Sequence, residues 1–575
     1  MLKFRYYLTP YRVSVSIALF LMLTELAVEL ALPLLMAKII DEGILQEDLS
    51  LVMKWGGIMV GLSFLAFASG MINSFYAAHV SQSFGFDIRK DIFVKVQSFS
   101  FESLAKFPAA SLVTRMTNDI TQLQNTLFMG LRIMLRAPLL VLGSVVMSFF
   151  VNPMLASIFA VVIPLVIVFL IMIMKRGSKL FQIVQAKLDT VNDVLRENLI
   201  GMKLIKAYVR RDHEINRFSE STNFLKNATV TGLRMIEASM PILLFVMNIA
   251  ILFILWNGQS QVMNGNAQVG EVVAIVNYGL RTTAALSMFS FIVMFLSRSR
   301  ASSLRISEVL DTKEKVEIKG TQNGFQRGEI RFEDVSFSYP DVDELVLKNV
   351  SFTISAGETV AIMGGTGSGK SSLFQLIPRL YEVDFGKIYI DHQEITSIDL
   401  AVLRNQIGYV PQEAVLFSGT VRENIEWGKS DASMDEIERA AKAAQIEETI
   451  QQLPGKYETR IGQKGVNLSG GQKQRLSIAR ALVRKPKLLL LDDSTSALDV
   501  KTEKSLLKAL EGYSSTTLVI TQKISTAEQV DRILLLDDGE MIAEGSHEEL
   551  RKTSPLYEKI FQSQMEEEAN VQRAN

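Results

Sequence analysis

Cysteine is absent from all 575 residues, which excludes disulfides and thiolate metal sites. A charge surplus is absent too. Sixty Lys and Arg face 61 Asp and Glu, for a formal net charge of −1, so bulk charge points to no nucleic-acid partner. One stretch lacks charge altogether, since residues 137–174 contain no Asp, Glu, Lys or Arg. The apolar run near the N-terminus lacks a small-residue cleavage site and is followed by further runs. It therefore predicts a retained membrane helix and not a signal peptide.

Mean hydropathy is +0.22 although 21% of residues are charged, which requires apolar and charged residues to be segregated along the chain. A spanning helix needs about 20 mostly apolar residues. The charge-free stretch is roughly twice that length, predicting two helices broken at Asn152-Pro153 by a tight hairpin. Runs near 14–37, 55–78, 236–257 and 271–297 bring the expected total to six. Segment 175–234 carries twelve Lys or Arg and 79–136 is also basic, whereas 39–50, 152–154 and 258–270 carry none. The basic side, together with Lys3, Arg5 and Arg12, is expected to be cytoplasmic. Leu195, Leu199, Met202 and Ile205 recur at helical spacing, so the spans are expected to continue as long cytoplasmic stalks. Glu25 and Glu29 lie four apart, on one face of the first span. Carboxylates in hydrocarbon are costly, which leaves a cation-attracting substrate cavity that includes Arg281, or a structural role: pairing, for instance with Arg281, or a position near the outer interface.

After Arg300 the apolar runs end. Residues 311–328 read as a linker between a membrane domain, 1–310, and an α/β domain, 329–575. There the strand-like Thr359–Met363 leads into Gly364-Gly365-Thr366-Gly367-Ser368-Gly369-Lys370-Ser371, followed by Ser372. Such a loop presents backbone N–H groups to phosphate, Lys370 to the β- and γ-phosphates and Ser371 to Mg2+. Asp492, ending the apolar strand Leu488–Leu491, is the second expected Mg2+ anchor.

Leu468-Ser469-Gly470-Gly471-Gln472 resembles the signature of ATP-binding cassette (ABC) proteins, and six spans before one cassette resemble a half-size ABC exporter over essentially the whole chain. By that resemblance Tyr339 stacks on adenine, and Gln412 links nucleotide, with its Mg2+, to the membrane domain. Ser496–Asp499 is exchanged between paired cassettes. Ser111–Asp119 is similar to the first cytoplasmic coupling segment, and Ala207–Phe218 to the stretch holding the second. The family closes the signature of one cassette over ATP held by another, so the resemblance implies a dimer. Three departures stand out. Asp493 replaces the glutamate that polarises water, Gln522 the histidine at the γ-phosphate, and Gln463 a frequent glutamate. The pattern resembles the degenerate-site subunit of a bacterial heterodimeric multidrug exporter in the cytoplasmic membrane, moving amphipathic small molecules. A homodimer and a lipid or peptide exporter are the alternatives. The approximately 13 residues before the first span are too few for the peptidase domain that peptide exporters often add.

Overall fold

The computed structural model describes residues 2–313, 324–340, 342 and 344–574. The chain falls into two compact units, Met1–Ser98 with Phe107–Thr312 and Phe99–Lys106 with Lys313–Asn575.

Among the described residues, the first unit contains six helical stretches long and apolar enough to cross a membrane: Phe4–Ile44, Leu49–Gln97, Ala109–Val151, Pro153–Ile200, Arg211–Met263 and Val269–Asp311. We number them spans 1–6. Each of the six apolar runs read from the sequence falls inside one of them. Every stretch is about twice the length a bilayer requires, so the polar segments between the expected spans are largely helix. Burial follows helical spacing. Leu155, Phe159, Ile163, Val166 and Leu170 line one face of span 4 and are all nearly inaccessible, while Val161, Leu165 and Val168 are exposed, as a lipid-facing surface should be.

Span 4 starts where the sequence predicts. Asn152 caps it by accepting the N–H groups of Met154 and Leu155 at 3.2 Å, and Pro153 occupies the first turn, where a missing N–H costs nothing. The same Asn152 donates to Glu271 at the start of span 6 (3.3 Å). Beside it, Asp41 at the end of span 1 accepts the Gly270 N–H at 2.7 Å. That approach requires glycine, because a Cβ at position 270 would lie 2.3 Å from the Asp41 carboxylate and 2.4 Å from the Ala37 carbonyl.

The second unit is an α/β domain. Its strands are β1 (Ile330–Phe337), β2 (Leu347–Ile354), β3 (Thr359–Gly364), β4 (Phe385–Ile390), β5 (Gln393–Glu394), β6 (Ile407–Val410), β7 (Gly419–Thr420), β8 (Arg460–Ile461), β9 (Leu488–Asp492), β10 (Thr516–Ile520), β11 (Arg532–Asp537) and β12 (Glu540–Gly545). The main sheet has the order β12-β11-β3-β10-β9-β6. All its pairings are parallel except that of β11 with β12. A second sheet, β2-β1-β4-β5, is antiparallel. Parallel strands buried on both faces read as continuous apolar runs, and Leu488–Leu491 are fully buried. Consequently β3, β9 and β10 end side by side, and the loops following them meet.

Two boundaries differ from the sequence reading. Within the expected linker 311–328, residues 314–323 lie outside the described residues, while 324–328 already belong to the cassette. Phe325 is 2% exposed in its core, and Asp391 accepts the N–H groups of Gln326, Arg327, Gly328 and Glu329. Burial alone would raise the Asp391 pKa, but those four donors hold it below the usual carboxylate range. The second difference concerns the first coupling segment. The short helix Phe101–Lys106 belongs to the cassette unit, its Phe101 ring 6.0 Å from that of Tyr381. Ser111–Asp119 instead packs within the membrane unit. There Arg115 donates to the Arg305 carbonyl and pairs with Glu308, and Asp119 accepts from Ser302 and Arg305. The sequence resemblance therefore lay about ten residues C-terminal to the segment that joins the cassette.

Candidate nucleotide site

The loop between β3 and the helix Lys370–Leu376 is shaped by its glycines. Gly364, Gly367 and Gly369 have φ of +152°, +86° and +94°, and a Cβ at Gly364 would come within 2.1 Å of the Leu536 carbonyl. Lys370, 8% exposed, donates from Nζ to the Gly364 carbonyl (3.1 Å), the Gly365 carbonyl (2.5 Å) and Ser368 Oγ (3.2 Å). Burial lowers its pKa, while Asp493 and Asp492 oppose the shift.

Asp492, at the end of β9, accepts from Ser371 Oγ at 3.0 Å and from the Tyr409 hydroxyl at 3.3 Å. A hydroxyl and a carboxylate are hard oxygen donors of the kind Mg2+ takes, and they form a pair, not a cage. Among the described residues no cluster of three or more His, Asp or Glu is grouped to hold a metal, so the carboxylates here do not by themselves complete an ion's coordination, and phosphate and water would supply ligands beside the protein's own. Asp493 follows with φ +45°, its N–H bonded to the Ile520 carbonyl. Its carboxylate accepts from Gln412 Nε2 at 3.2 Å. Burial raises both carboxyl pKa values, only partly offset by Ser371 and Tyr409 at Asp492 and by Gln412 at Asp493. Ser371, Gln412, Asp492 and Asp493 thus converge beside Lys370.

Tyr339 is half-buried, its ring edge-on to Phe337 and Tyr381. Its hydroxyl lies 2.9 Å from Ser372 Oγ, which fixes it over the start of the helix after the loop. Gln522 lies two residues past the end of β10 and is exposed. The signature lies apart. Ser469 caps the 13-residue helix Gly470–Leu482 in a capping box, its Oγ accepting the Gln472 N–H (3.3 Å) while Gln472 Oε1 accepts the Ser469 N–H (2.9 Å). Gly471 sits where a Cβ would press on the Ala497 carbonyl at 3.0 Å, which packs the signature against the loop Ser496–Asp499. Leu468 is half-buried, and Ser469 and Gly470 are exposed.

In the membrane unit, Glu25 and Glu29 are paired by a residue the sequence reading missed. The Arg136 guanidinium forks between them at 2.6 Å to each, and Arg281 reaches Glu29 at 3.2 Å. The structural-pairing reading is the one this geometry carries. Arg136 was legible as the single cation immediately before the charge-free stretch. Missed in the cassette were Tyr409, which bonds Asp492 at the end of β9, and Glu503 and Lys523, which join the loops after β9 and β10; none carries a motif of its own.

This arrangement of six spans, phosphate loop, strand-end carboxylates and signature helix defines an ATP-hydrolysing transporter, and the chain belongs to the ABC transporter family. Residues 15–302 match the ABC transporter transmembrane region and 347–496 the ABC transporter domain. Among its relatives is the uncharacterized ABC transporter ATP-binding protein YfiB of Bacillus subtilis (strain 168), 55% identical over 98% of both chains. The ATP-dependent lipid A-core flippase of Desulfotalea psychrophila is 32% identical, covering 96% of this chain and 97% of the flippase. Among solved structures, a bacterial Atm1-family ABC exporter with ATP bound superposes with a TM-score of 0.80 at 25% identity, over 96% of this chain and 98% of that one. The protein is a multi-pass membrane exporter of the half-size type, which couples ATP hydrolysis to transport and acts with a second ABC chain.

Proposed function

We propose that this chain is the degenerate-site half of a heterodimeric exporter of amphipathic small molecules in the cytoplasmic membrane, with the N-terminus and cassette in the cytoplasm. In this reading its Gly364–Ser371 loop, Ser372, Tyr339 and Gln412 bind ATP, and Ser371, Gln412 and Asp492 hold Mg2+. Leu468–Gln472 completes the site of the partner, a second half-size chain. The carrying observation is an intact phosphate loop beside an altered pair of catalytic positions. Asp493, held by Gln412, offers a carboxylate one methylene short of glutamate, and a misplacement of about 1 Å can cost on the order of 100-fold in rate. Gln522 can hydrogen-bond a phosphate but cannot carry the charge of an imidazolium. Nothing in the charge balance favours a nucleic-acid partner.

Two further features support an assembly of two chains. Ser469 is exposed at a helix N-terminus, where backbone N–H groups favour phosphate. Between spans 4 and 5, the apolar side chains of Ile200, Leu204, Tyr208 and Val209 are all at least 64% exposed, and the turn they flank overlaps the expected second coupling segment. The flippase among the relatives favours a second reading, in which the amphipathic cargo is a membrane lipid.

The test is turnover. Purified alone, the chain is expected to bind Mg·ATP and hydrolyse it slowly, and the correct partner should raise turnover strongly. Robust ATPase activity from the isolated chain would sink the asymmetry. Efflux of amphipathic dyes, set against flipping of labelled lipid in vesicles, separates the two cargo readings.

A further inference from the structure

The loop carrying Gln522 is gripped from two directions. Gln564, on the C-terminal helix Pro555–Ala574, accepts the Ile524 N–H on Oε1 at 2.9 Å and donates from Nε2 to the Gln522 carbonyl at 2.5 Å. One amide side chain thus brackets Lys523 much as a neighbouring strand would. Lys523 reaches the other way, donating from Nζ to the Thr495 carbonyl (3.0 Å), the Leu498 carbonyl (3.1 Å) and Glu503 Oε2 (3.0 Å). Glu503 is 1% exposed, and its other oxygen takes the Thr526 hydroxyl at 2.6 Å. A continuous chain of hydrogen bonds therefore runs from the C-terminal helix, through the loop after β10, to the loop after β9 that contains Ser496–Asp499.

We propose that Gln564 and Lys523 are positioning residues forming a strut, by which the C-terminal helix fixes the Gln522 loop and the Ser496–Asp499 loop as one body at this chain's nucleotide site. The effect on nucleotide rests on the ATP-binding role proposed above; the mechanical coupling does not. Two physical points carry it. A side chain that donates to one main-chain carbonyl and accepts from an N–H two residues on defines the backbone at Lys523, and thereby where Gln522 can point. A buried carboxylate such as Glu503 needs its counter-ion, so Lys523 cannot swing away without cost, and any shift of its backbone is felt at Thr495 and Leu498.

The strut is tested in the full-length chain, in the dimer it forms, with Mg2+ and a non-hydrolysable ATP analogue. Hydrogen exchange is followed across 494–499 and 520–526, together with the lifetime of bound analogue. Losing two neutral hydrogen bonds corresponds to roughly 30-fold in local opening. Gln564→Leu is therefore expected to speed exchange by tens of fold at 520–526, and by about tenfold at 494–499, which Gln564 does not touch. It should shorten analogue lifetime while leaving β3 and β9 protected. Lys523→Arg should preserve the coupling, and Lys523→Met should remove the added effect of Gln564→Leu at 494–499. If Lys523→Met does not fold, Gln564→Leu and Lys523→Arg still decide, because both keep Glu503 paired. Faster exchange confined to 520–526, with 494–499 unchanged, overturns the strut. Coupled exchange with unchanged analogue lifetime overturns only its link to nucleotide. Rapid hydrolysis by the isolated wild-type chain would defeat the degenerate-site reading and leave the exchange result standing.

Discussion

Ser469→Arg separates two roles of a single hydroxyl. Within the chain, Ser469 caps the helix Gly470–Leu482 through its pair of hydrogen bonds with Gln472, at 3.3 and 2.9 Å. Losing a cap costs about 1 kcal/mol, a fall in Tm of about 2–4 °C for a domain of this size. In the proposed assembly the same exposed hydroxyl donates to the γ-phosphate of ATP held by the partner, where developing negative charge must be met. Removing one such preorganised donor typically costs about 100- to 1,000-fold in rate, and arginine adds bulk at the contact. The two consequences differ so much in size that one variant resolves them. Steady-state ATPase activity of the assembled pair should fall at least about 100-fold. Tm should change by only a few degrees, and nucleotide occupancy at the Lys370 loop should stay near wild type. Near-normal ATPase activity in Ser469→Arg, with activity abolished in Lys370→Ala, would refute the reasoning and make this chain the host of the working site.

Asp493→Asn should alter transport by the pair only modestly, whereas replacing the partner's glutamate should abolish it; equal losses would contradict the asymmetry. Because burial raises the Asp493 pKa above 3.8, ionisation of this carboxylate opposes folding at neutral pH. Asp493→Asn should therefore raise Tm at pH 7, with the gain fading as pH falls through the raised pKa; thermal scans against pH check the sign. In the membrane unit, Arg136→Ala would leave Glu29 with Arg281 and take from Glu25 the guanidinium it pairs with. Breaking a fully buried pair costs about 3–5 kcal/mol, and with these side chains 22–28% exposed about 2–3 kcal/mol is expected. An unchanged Tm in detergent would show that the fork adds no stability, and Glu25→Gln added to Arg136→Ala should recover part of the loss.

What the sequence made legible was what is local. Residues 137–174 announced a hairpin because Asn152 can cap and Pro153 can start a helix whatever surrounds them. The phosphate loop announced itself because its glycines are demanded by backbone conformation. What stayed hidden is what depends on partners distant in sequence. Arg136 lies more than a hundred residues from the carboxylates it joins, and counting charges within each span could not connect them. Gln564 contacts main-chain atoms, so nothing in the residues at 522–524 advertises it. The linker was drawn too long because Phe325, a lone aromatic in a polar stretch, reads as loop until Gln406 and the cassette core enclose it. Ser111–Asp119 was misplaced because a motif matched by likeness fixes a neighbourhood, and the helix that joins the cassette comes earlier, at Phe101–Lys106.

The hairpin ends of the membrane unit carry a mechanical consequence. Asp41 reaches the start of span 6, and so does Asn152 from the turn between spans 3 and 4, while Trp55 of span 2 donates to Glu42 at the end of span 1. Spans 1, 2, 3, 4 and 6 are therefore stitched together at one end, and the glycine at 270 leaves no slack in the tightest stitch. Levers joined at one end have most freedom at the other. Within one chain, any motion that spread these helices on the stitched side would first have to break the bonds of Asp41 to Gly270, Asn152 to Glu271 and Trp55 to Glu42.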